Sequence, residues 1–189
     1  RIAVPRDEQR LQEALRHSVS VDSPTLIRFG KGLLPPPIPA LRRMGDVDVL
    51  KETQQPQVLI VSYGLGAEAL SAAEILEASG IRTTVADPVW AMPISPALIA
   101  LAARHSLVVT VEDGLVSGGL GTMLAQALTA AGVLTPVREV GIPQVYLRQG
   151  SRSQLLAEIG LTPEGIAAAA QESYSQVLRA DCAHDYQPG

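Results

Sequence analysis

The stretch Val58-Leu59-Ile60-Val61-Ser62-Tyr63-Gly64-Leu65-Gly66-Ala67-Glu68-Ala69 passes from an unbroken apolar run through a glycine turn into small, helix-compatible residues. A strand that is apolar at consecutive positions, as 58–61 is, has no face left for water, so it must be covered on both sides. The glycine turn then leads into a helix over 67–79, with Gly80 just past its end, where the left-handed conformation favours glycine. The same alternation continues: strand 82–86, helix 96–105, strand 107–111, helix 120–131, strand 137–140, and helices 153–159 and 163–178. Gly132 closes one helix, and Thr162 precedes Pro163 as a cap with proline at the first helical position. Apolar strands interleaved with helices predict an α/β fold, a three-layer sandwich around a mostly parallel sheet.

Toward the amino terminus the pattern is different. Asp7 is placed to cap a helix to about Ser18, with Leu11, Ala14 and Leu15 on one face. A turn at Asp22-Ser23-Pro24 leads to a short strand, 25–29. Two such elements bury no core of their own, so 1–32 is expected to be the end of a preceding domain. Residues 33–56 are expected to be a connector. It holds Pro35, Pro36, Pro37 and Pro39, which remove backbone donors and favour extended geometry, followed by a mixed segment with room for a short strand at 47–50. The α/β domain is assigned to 57–179. The tail 180–189 lacks periodicity and is expected to be disordered. The chain opens on Arg1 rather than methionine and looks cut from something longer.

Composition narrows the function classes. The 189 residues are 47% hydrophobic and 18% charged, enough for one sizeable core. The net charge is -4, and Arg10, Arg16, Arg42, Arg82 and Arg138 are scattered, so nucleic acid is not an expected partner. A single cysteine, Cys182, and the absence of ligand-spaced Cys or His fit a reducing, cytoplasmic setting without a metal site. The longest apolar runs fall far short of the roughly 20 residues that cross a bilayer, and no signal sequence is visible.

Three places carry possible chemistry. Gly64-Leu65-Gly66, with Asp87 at the end of the next strand, nearly matches a dinucleotide fingerprint, in which glycines admit a pyrophosphate and the acid bonds a ribose hydroxyl. The alternative is an ordinary tight turn. Gly118-Gly119-Leu120-Gly121 follows Glu112-Asp113 and opens a helix; it suits an anion, or close packing and a subunit contact, the latter being favoured. Glu112 is either a general acid or a hydrogen-bond anchor. Arg28-Phe29-Gly30-Lys31-Gly32 presents two cations at a strand end, where a guanidinium can hold phosphate oxygens bidentately. His17, His105 and His184 lie near no nucleophile, and no Gly-x-Ser-x-Gly elbow occurs.

Read in order, a series of pieces resembles the carboxyl-terminal third of 1-deoxy-D-xylulose-5-phosphate synthases, up to about Arg179. The pieces are Pro5-Arg6-Asp7, Pro24-Thr25-Leu26-Ile27-Arg28-Phe29-Gly30-Lys31-Gly32, Asp87-Pro88-Val89-Trp90-Ala91-Met92-Pro93, Val109-Thr110-Val111-Glu112-Asp113, Ser117-Gly118-Gly119-Leu120-Gly121, Gly141-Ile142-Pro143-Gln144 and Leu161-Thr162-Pro163-Glu164-Gly165-Ile166. The resemblance implies a transketolase carboxyl-terminal domain behind the end of a pyrimidine-binding-type domain. In that family pyruvate condenses with glyceraldehyde 3-phosphate, releasing carbon dioxide, on thiamine diphosphate held with Mg²⁺ in a homodimer. It implies that Arg28, with Lys31 beside it, faces the acceptor's phosphate. It also implies that the domain mainly supports the dimer and borders the site, and that its glycine turn binds no nucleotide.

Departures accompany the likeness. Gly30 stands where the family usually has proline, Gly114-Leu115 where it often has asparagine and glycine, and Val89 where arginine is common. These imply a divergent paralogue with reduced activity or an altered acceptor. The Gly-Asp-Gly motif with a distant Asn that holds the cofactor does not occur in the chain, nor does the segment bearing the activating glutamate. Expected, therefore, is a part of a synthase that holds no cofactor and is inactive alone, needing a homodimer or a partner with the missing domains. The alternatives are a non-catalytic assembly or regulatory module, and a dinucleotide binder.

Overall fold

The computed structural model describes residues 1–30 and 35–185. A six-stranded sheet forms its centre, in the order β3 (Arg42–Met44), β4 (Val47–Lys51), β6 (Thr83–Pro88), β5 (Val58–Tyr63), β7 (Leu107–Leu115) and β8 (Val137–Ile142). From β6 to β8 all pairs are parallel, whereas β3, β4 and β6 pair antiparallel. Helices cover both faces, as expected of a strand such as β5 that is buried along its whole length.

The alternation of side chains sorts β5 between the two layers. Val58 and Ile60 pack with Ala69, Ala73 and Leu76 of α2 (Gly66–Ala78) and with Ile166 and Ala170 of α6 (Pro163–Asp185). Leu59, Val61 and Tyr63 pack on the other side with Leu98 and Leu101 of α3 (Pro96–Ala102) and Leu124 and Leu128 of α4 (Leu120–Ala130). The short α5 (Arg152–Glu158) adds Leu156 to the first layer. Gly80 and Gly132 adopt φ of 81° and 72° after their helices, and Thr162 Oγ1 accepts from Gly165 N at 3.2 Å at the start of α6.

Two expectations need correction. The connector at 33–56 is not free-standing: Gly45, at φ 57°, turns β3 into β4, and β4 pairs along β6 as a full member of the sheet. Its proline segment is tied down as well, since Ile38 N donates to Asp7 Oδ2 at 2.9 Å. The tail is helical as far as Asp185, because nothing from Arg179 to Gln187 breaks a helix; residues 186–189 lie outside the described part.

The amino-terminal elements are β1 (Ile2–Ala3), α1 (Glu8–Ser18) and β2 (Leu26–Ile27), with β1 and β2 parallel. Asp7 caps α1, its Oδ1 accepting from Arg10 N at 2.9 Å. The expected apolar face is slight: Ala14 is buried, but Leu15 is half exposed. Instead, Ala3 and Ala14 close on Trp90, and Ile2 exchanges backbone hydrogen bonds with Ala91 and Met92 beyond β6. The segment thus lies on the α/β unit through a small apolar cluster and, chiefly, through charge.

Candidate functional site

The carboxyl ends of parallel strands are where α/β sheets take ligands, and here β5, β6, β7 and β8 end at Tyr63, Pro88, Leu115 and Ile142, with Asp87 and Glu112 close to those ends. The amino-terminal segment covers that rim. Gly64 has φ 81°, and a Cβ there would lie 2.9 Å from Val4 Cγ1. A Cβ on Gly66 would meet Arg6 Cδ and Ile38 Cδ1 at 3.3 Å. The glycines that would admit a pyrophosphate therefore admit the chain's own Val4 and Arg6. Asp87, the expected ribose partner, is instead paired with the Arg6 guanidinium.

That pairing belongs to a buried ionic cluster. Arg6 Nη1 bridges Asp87 and Asp48, the latter at 2.9 Å, while Nε and Nη2 donate to the Ile38 carbonyl at 3.2 and 2.9 Å. Asp48 also receives Arg43 Nε at 2.6 Å and lies 3.4 Å from Arg10 Nη1, and Glu13 pairs with Arg10 and Arg43. Three guanidiniums thus face four carboxylates, counting Asp7. Burial pushes the Asp87 carboxyl up to about 7; Arg6 opposes this, and Asp48 and Asp7 add to it. Sequence reading missed the cluster, although an aspartate inside the apolar run Val47-Asp48-Val49-Leu50 was its one visible signal.

At the end of β7 the second glycine turn is drawn around Glu112, which is only 3% exposed. Glu112 Oε1 accepts from Gly121 N at 3.0 Å, so the start of α4 receives an internal carboxylate, which favours the positive end of the helix. A Cβ on Gly119 would lie 2.4 Å from Glu112 Oε1, and one on Gly121 would lie 2.3 Å from Thr110 Oγ1. Gly118 has open space around it and φ 72°, so it serves the turn alone. Of the two roles open to Glu112 in the sequence, the structure displays the hydrogen-bond anchor.

Arg28 extends from the end of β2 beside this turn. Its backbone N–H donates to the Ala3 carbonyl at 2.9 Å, while its guanidinium makes no hydrogen bond or ion pair with a described residue. It borders a cleft of about 650 Å³ whose walls include Glu112, Gly118, Gly119, Leu26 and Met123. Lys31, its expected companion, lies outside the described residues. Arg28 also borders a small cavity with Tyr63, Asp113 and Arg152; sequence reading named Asp113 in the acidic pair with Glu112 but singled out neither Tyr63 nor Arg152. Arg152 donates to Asp113 Oδ2 through Nε at 2.9 Å and Nη2 at 2.6 Å.

The histidines stay apart from this rim. His17 leans on Trp90, with centroids 4.8 Å apart, and buried His105 has Nδ1 2.8 Å from the Leu101 carbonyl, its burial holding the imidazole below its usual value. Cys182 is exposed. Among the described residues no cluster of His, Cys, Asp or Glu can hold a metal ion, and no helix is long and apolar enough to cross a membrane.

Residues 45–166 match the family model described as transketolase, C-terminal domain. The chain is 52% identical over 171 residues to 1-deoxy-D-xylulose-5-phosphate synthase 1 of Kitasatospora griseola, covering 89% of this chain and 26% of that protein. It is 46% identical over 181 residues to the 1-deoxy-D-xylulose-5-phosphate synthase of Clavibacter sepedonicus, covering 94% and 27% respectively. This chain therefore spans about a quarter of the length of these relatives. Among solved structures it is similar to a split-gene transketolase described as an inactive beta4 tetramer, with TM-score 0.77 and 29% identity, over 92% of this chain and 57% of the other. Transketolase from Campylobacter jejuni, with TM-score 0.64 and 16% identity over 90% of this chain and 26% of that one, shares the fold.

Proposed function

Since the chain belongs to the transketolase carboxyl-terminal domain family, and its relatives are 1-deoxy-D-xylulose-5-phosphate synthases, we propose that it serves such a synthase as its carboxyl-terminal part, lining the acceptor side of the site. The reaction would be that of the whole enzyme: pyruvate and glyceraldehyde 3-phosphate give 1-deoxyxylulose 5-phosphate and carbon dioxide. Thiamine diphosphate, with Mg²⁺, supplies the electron sink when bound. The residues of this chain do not fit that cofactor. The described part offers no metal-holding cluster, and the glycine turn that could seat a pyrophosphate is filled by Val4 and Arg6. Cofactor binding is assigned to a partner carrying the remaining domains, in a cytoplasmic assembly without nucleic acid or membrane.

Within this reading, residues 1–30 end a pyrimidine-binding-type domain and the sheet with its helices is the terminal domain. Gly118, Gly119 and Gly121 form a structural turn closed on Glu112 and Thr110 of the same chain, and Arg28 takes the acceptor's phosphate. The observation that carries the proposal is the Arg28 guanidinium, which borders the cleft at the carboxyl ends of the strands and makes no hydrogen bond or ion pair with a described residue. A second reading, an assembly module without catalysis of its own, is favoured by the likeness to a split-gene transketolase described as inactive.

Calorimetric titration with thiamine diphosphate and Mg²⁺ separates the two readings. It is run on the chain alone and after mixing with a polypeptide that carries the other three quarters of such a synthase. Uptake and turnover only in the mixture, with Arg28→Ala raising KM for glyceraldehyde 3-phosphate at least tenfold, is the expected result. Uptake by the chain alone refutes the assignment of the cofactor elsewhere, and an unchanged KM in Arg28→Ala refutes the role of Arg28.

A further inference from the structure

The buried residues of the segment 1–30 are Ala3, Val4, Arg6, Asp7 and Ala14. Three of these are small apolar side chains, so the hold of the segment on the sheet depends heavily on the other two. Arg6 is the buried guanidinium of the cluster, and the carboxylates of Asp7, Asp48 and Asp87 around it are each no more than 2% exposed. The three acids are not equally served. Asp7 accepts from the amides of Arg10 and Ile38, and Asp48 has Arg43 Nε at 2.6 Å as well as Arg6. Asp87 has Arg6 Nη1 on Oδ2 alone, and its Oδ1 is buried without a hydrogen-bond partner.

A bare, buried carboxylate oxygen is where a proton relieves the most strain, because burial penalises the charged form and a like charge nearby adds to the penalty. The other groups that face Asp87 do not remove this demand. Arg10 and Glu13 of α1 and Arg43 of β3 pair with one another and with Asp48, and the Tyr63 phenol of β5 is held neutral, chiefly by its own burial. Burial accordingly pushes the Asp87 carboxyl up to about 7, against the opposing pull of Arg6. Once the segment leaves the sheet, water reaches Asp87 and its ordinary value near 3.8 returns. Lifting therefore releases a proton. The docked state is favoured in full below about 3.8, loses ground as pH rises toward 7, and gains or loses nothing further above that, where both states are ionised.

We propose that Arg6, Asp48 and Asp87 form a proton-controlled latch: with the Asp87 carboxyl protonated the segment 1–28 stays closed on the sheet, and its ionisation lets the segment lift while the α/β core remains folded. The backbone bonds that cross this boundary are few. Ile2 N donates to the Met92 carbonyl at 3.0 Å, Ala91 N to the Ile2 carbonyl at 2.8 Å, and Ile38 N to Asp7 Oδ2 at 2.9 Å. Because the Ala3 carbonyl accepts the Arg28 amide, β1 and β2 lift as a pair and carry Arg28 away from the rim with them. Asp87 is thus a positioning residue for Arg28, acting through Arg6, whatever ligand Arg28 meets.

The test is amide exchange of the whole 189-residue chain at pH 5, 6 and 7, corrected for the intrinsic exchange rate. Opening constants are read for the amides of Ile2, Ala91 and Ile38, which cross the boundary, and for the cores of β5 and β7. The three boundary constants should rise together, by about tenfold or more from pH 5 to pH 7, and at pH 7 should exceed those of the core at least about tenfold. In Asp87→Asn the rise should vanish, whereas Asp48→Asn should keep it, since Asp87 and Arg6 remain. A second readout needs no variant: the carboxyl carbon resonance of Asp87 should titrate near 7 in the native chain. Boundary and core amides opening with one common constant at each pH would overturn the latch, because the proton would then act on global stability alone. So would a rise that persists in Asp87→Asn, or an Asp87 carboxyl that titrates below about 4.5, in the ordinary range.

Discussion

Asp87→Asn tests what holds the amino-terminal segment, and with it Arg28, against the sheet. Asparagine keeps the shape and an acceptor for Arg6 but fixes the side chain in the neutral state. In the folded chain the Asp87 carboxyl titrates at about 7, against 3.8 when unperturbed. Between those values the folded state keeps a proton that the unfolded chain releases, so this residue's contribution to stability is complete below about 3.8 and is lost as pH rises toward 7. At about 1.4 kcal/mol per pH unit, that interval corresponds to about 4 kcal/mol as a ceiling. Asp87→Asn should therefore match the native chain near pH 4 and exceed its stability near pH 8, by about 2–4 kcal/mol. The cause is that Asp87 is buried with Asp48 and Asp7 around the single buried guanidinium of Arg6, where replacing a buried ion is often neutral or stabilising. Urea unfolding of both chains at pH 4.5, 6 and 8 measures the difference by linear extrapolation, and titrations common to both cancel. If the variant is instead weaker by the same amount at every pH, attraction to Arg6 outweighs burial and the reasoning fails.

Other outcomes follow from the same contacts. Arg6→Met leaves Asp48 and Asp87 buried without their bridging cation, so it should cost about 3–5 kcal/mol in urea unfolding and increase amide exchange in β1 and α1. Gly121→Ala drives a methyl into Thr110 and Glu139 and should cost about 1–3 kcal/mol by overpacking, whereas Gly118→Ala meets no atom and loses only about 1–2 kcal/mol to its left-handed backbone; thermal melts of the two rank them. Titration with NAD should show no saturable binding up to millimolar concentration, because the turn and the acid that would receive it are already occupied.

The fold was legible because its signals are local. The apolar runs 58–61 and 107–111, the glycines at 80 and 132 and the caps at Asp7 and Thr162 each act within a few residues, and each occupies its expected place. The hairpin of β3 and β4 was less visible because β4 is held by pairing with β6, some forty residues away in the chain, so only Gly45 and a brief apolar run marked it. The rim was legible at Arg28, Glu112 and the glycines of 118–121 through their likeness to a known series. Tyr63 and Arg152 were not, because nothing in a tyrosine at a strand end or an arginine opening a helix reveals that the fold brings both to one small cavity beside Arg28.

The dinucleotide fingerprint shows why a motif can be read correctly and still mislead. A glycine in such a turn reports that something approaches the backbone closely, and an acid at the next strand end reports that something there donates hydrogen bonds. Both statements hold at Gly64, Gly66 and Asp87, but the approaching groups are Val4 and Arg6 of the same chain, and the donor is a guanidinium rather than a ribose. The physical demand is the same; only its source differs. Because Val4 and Arg6 directly follow Ala3, whose carbonyl accepts the Arg28 amide, occupying the glycine turn from within also fixes where Arg28 stands. The sheet end that would have served a nucleotide instead anchors the strand pair that presents a cation to the neighbouring cleft.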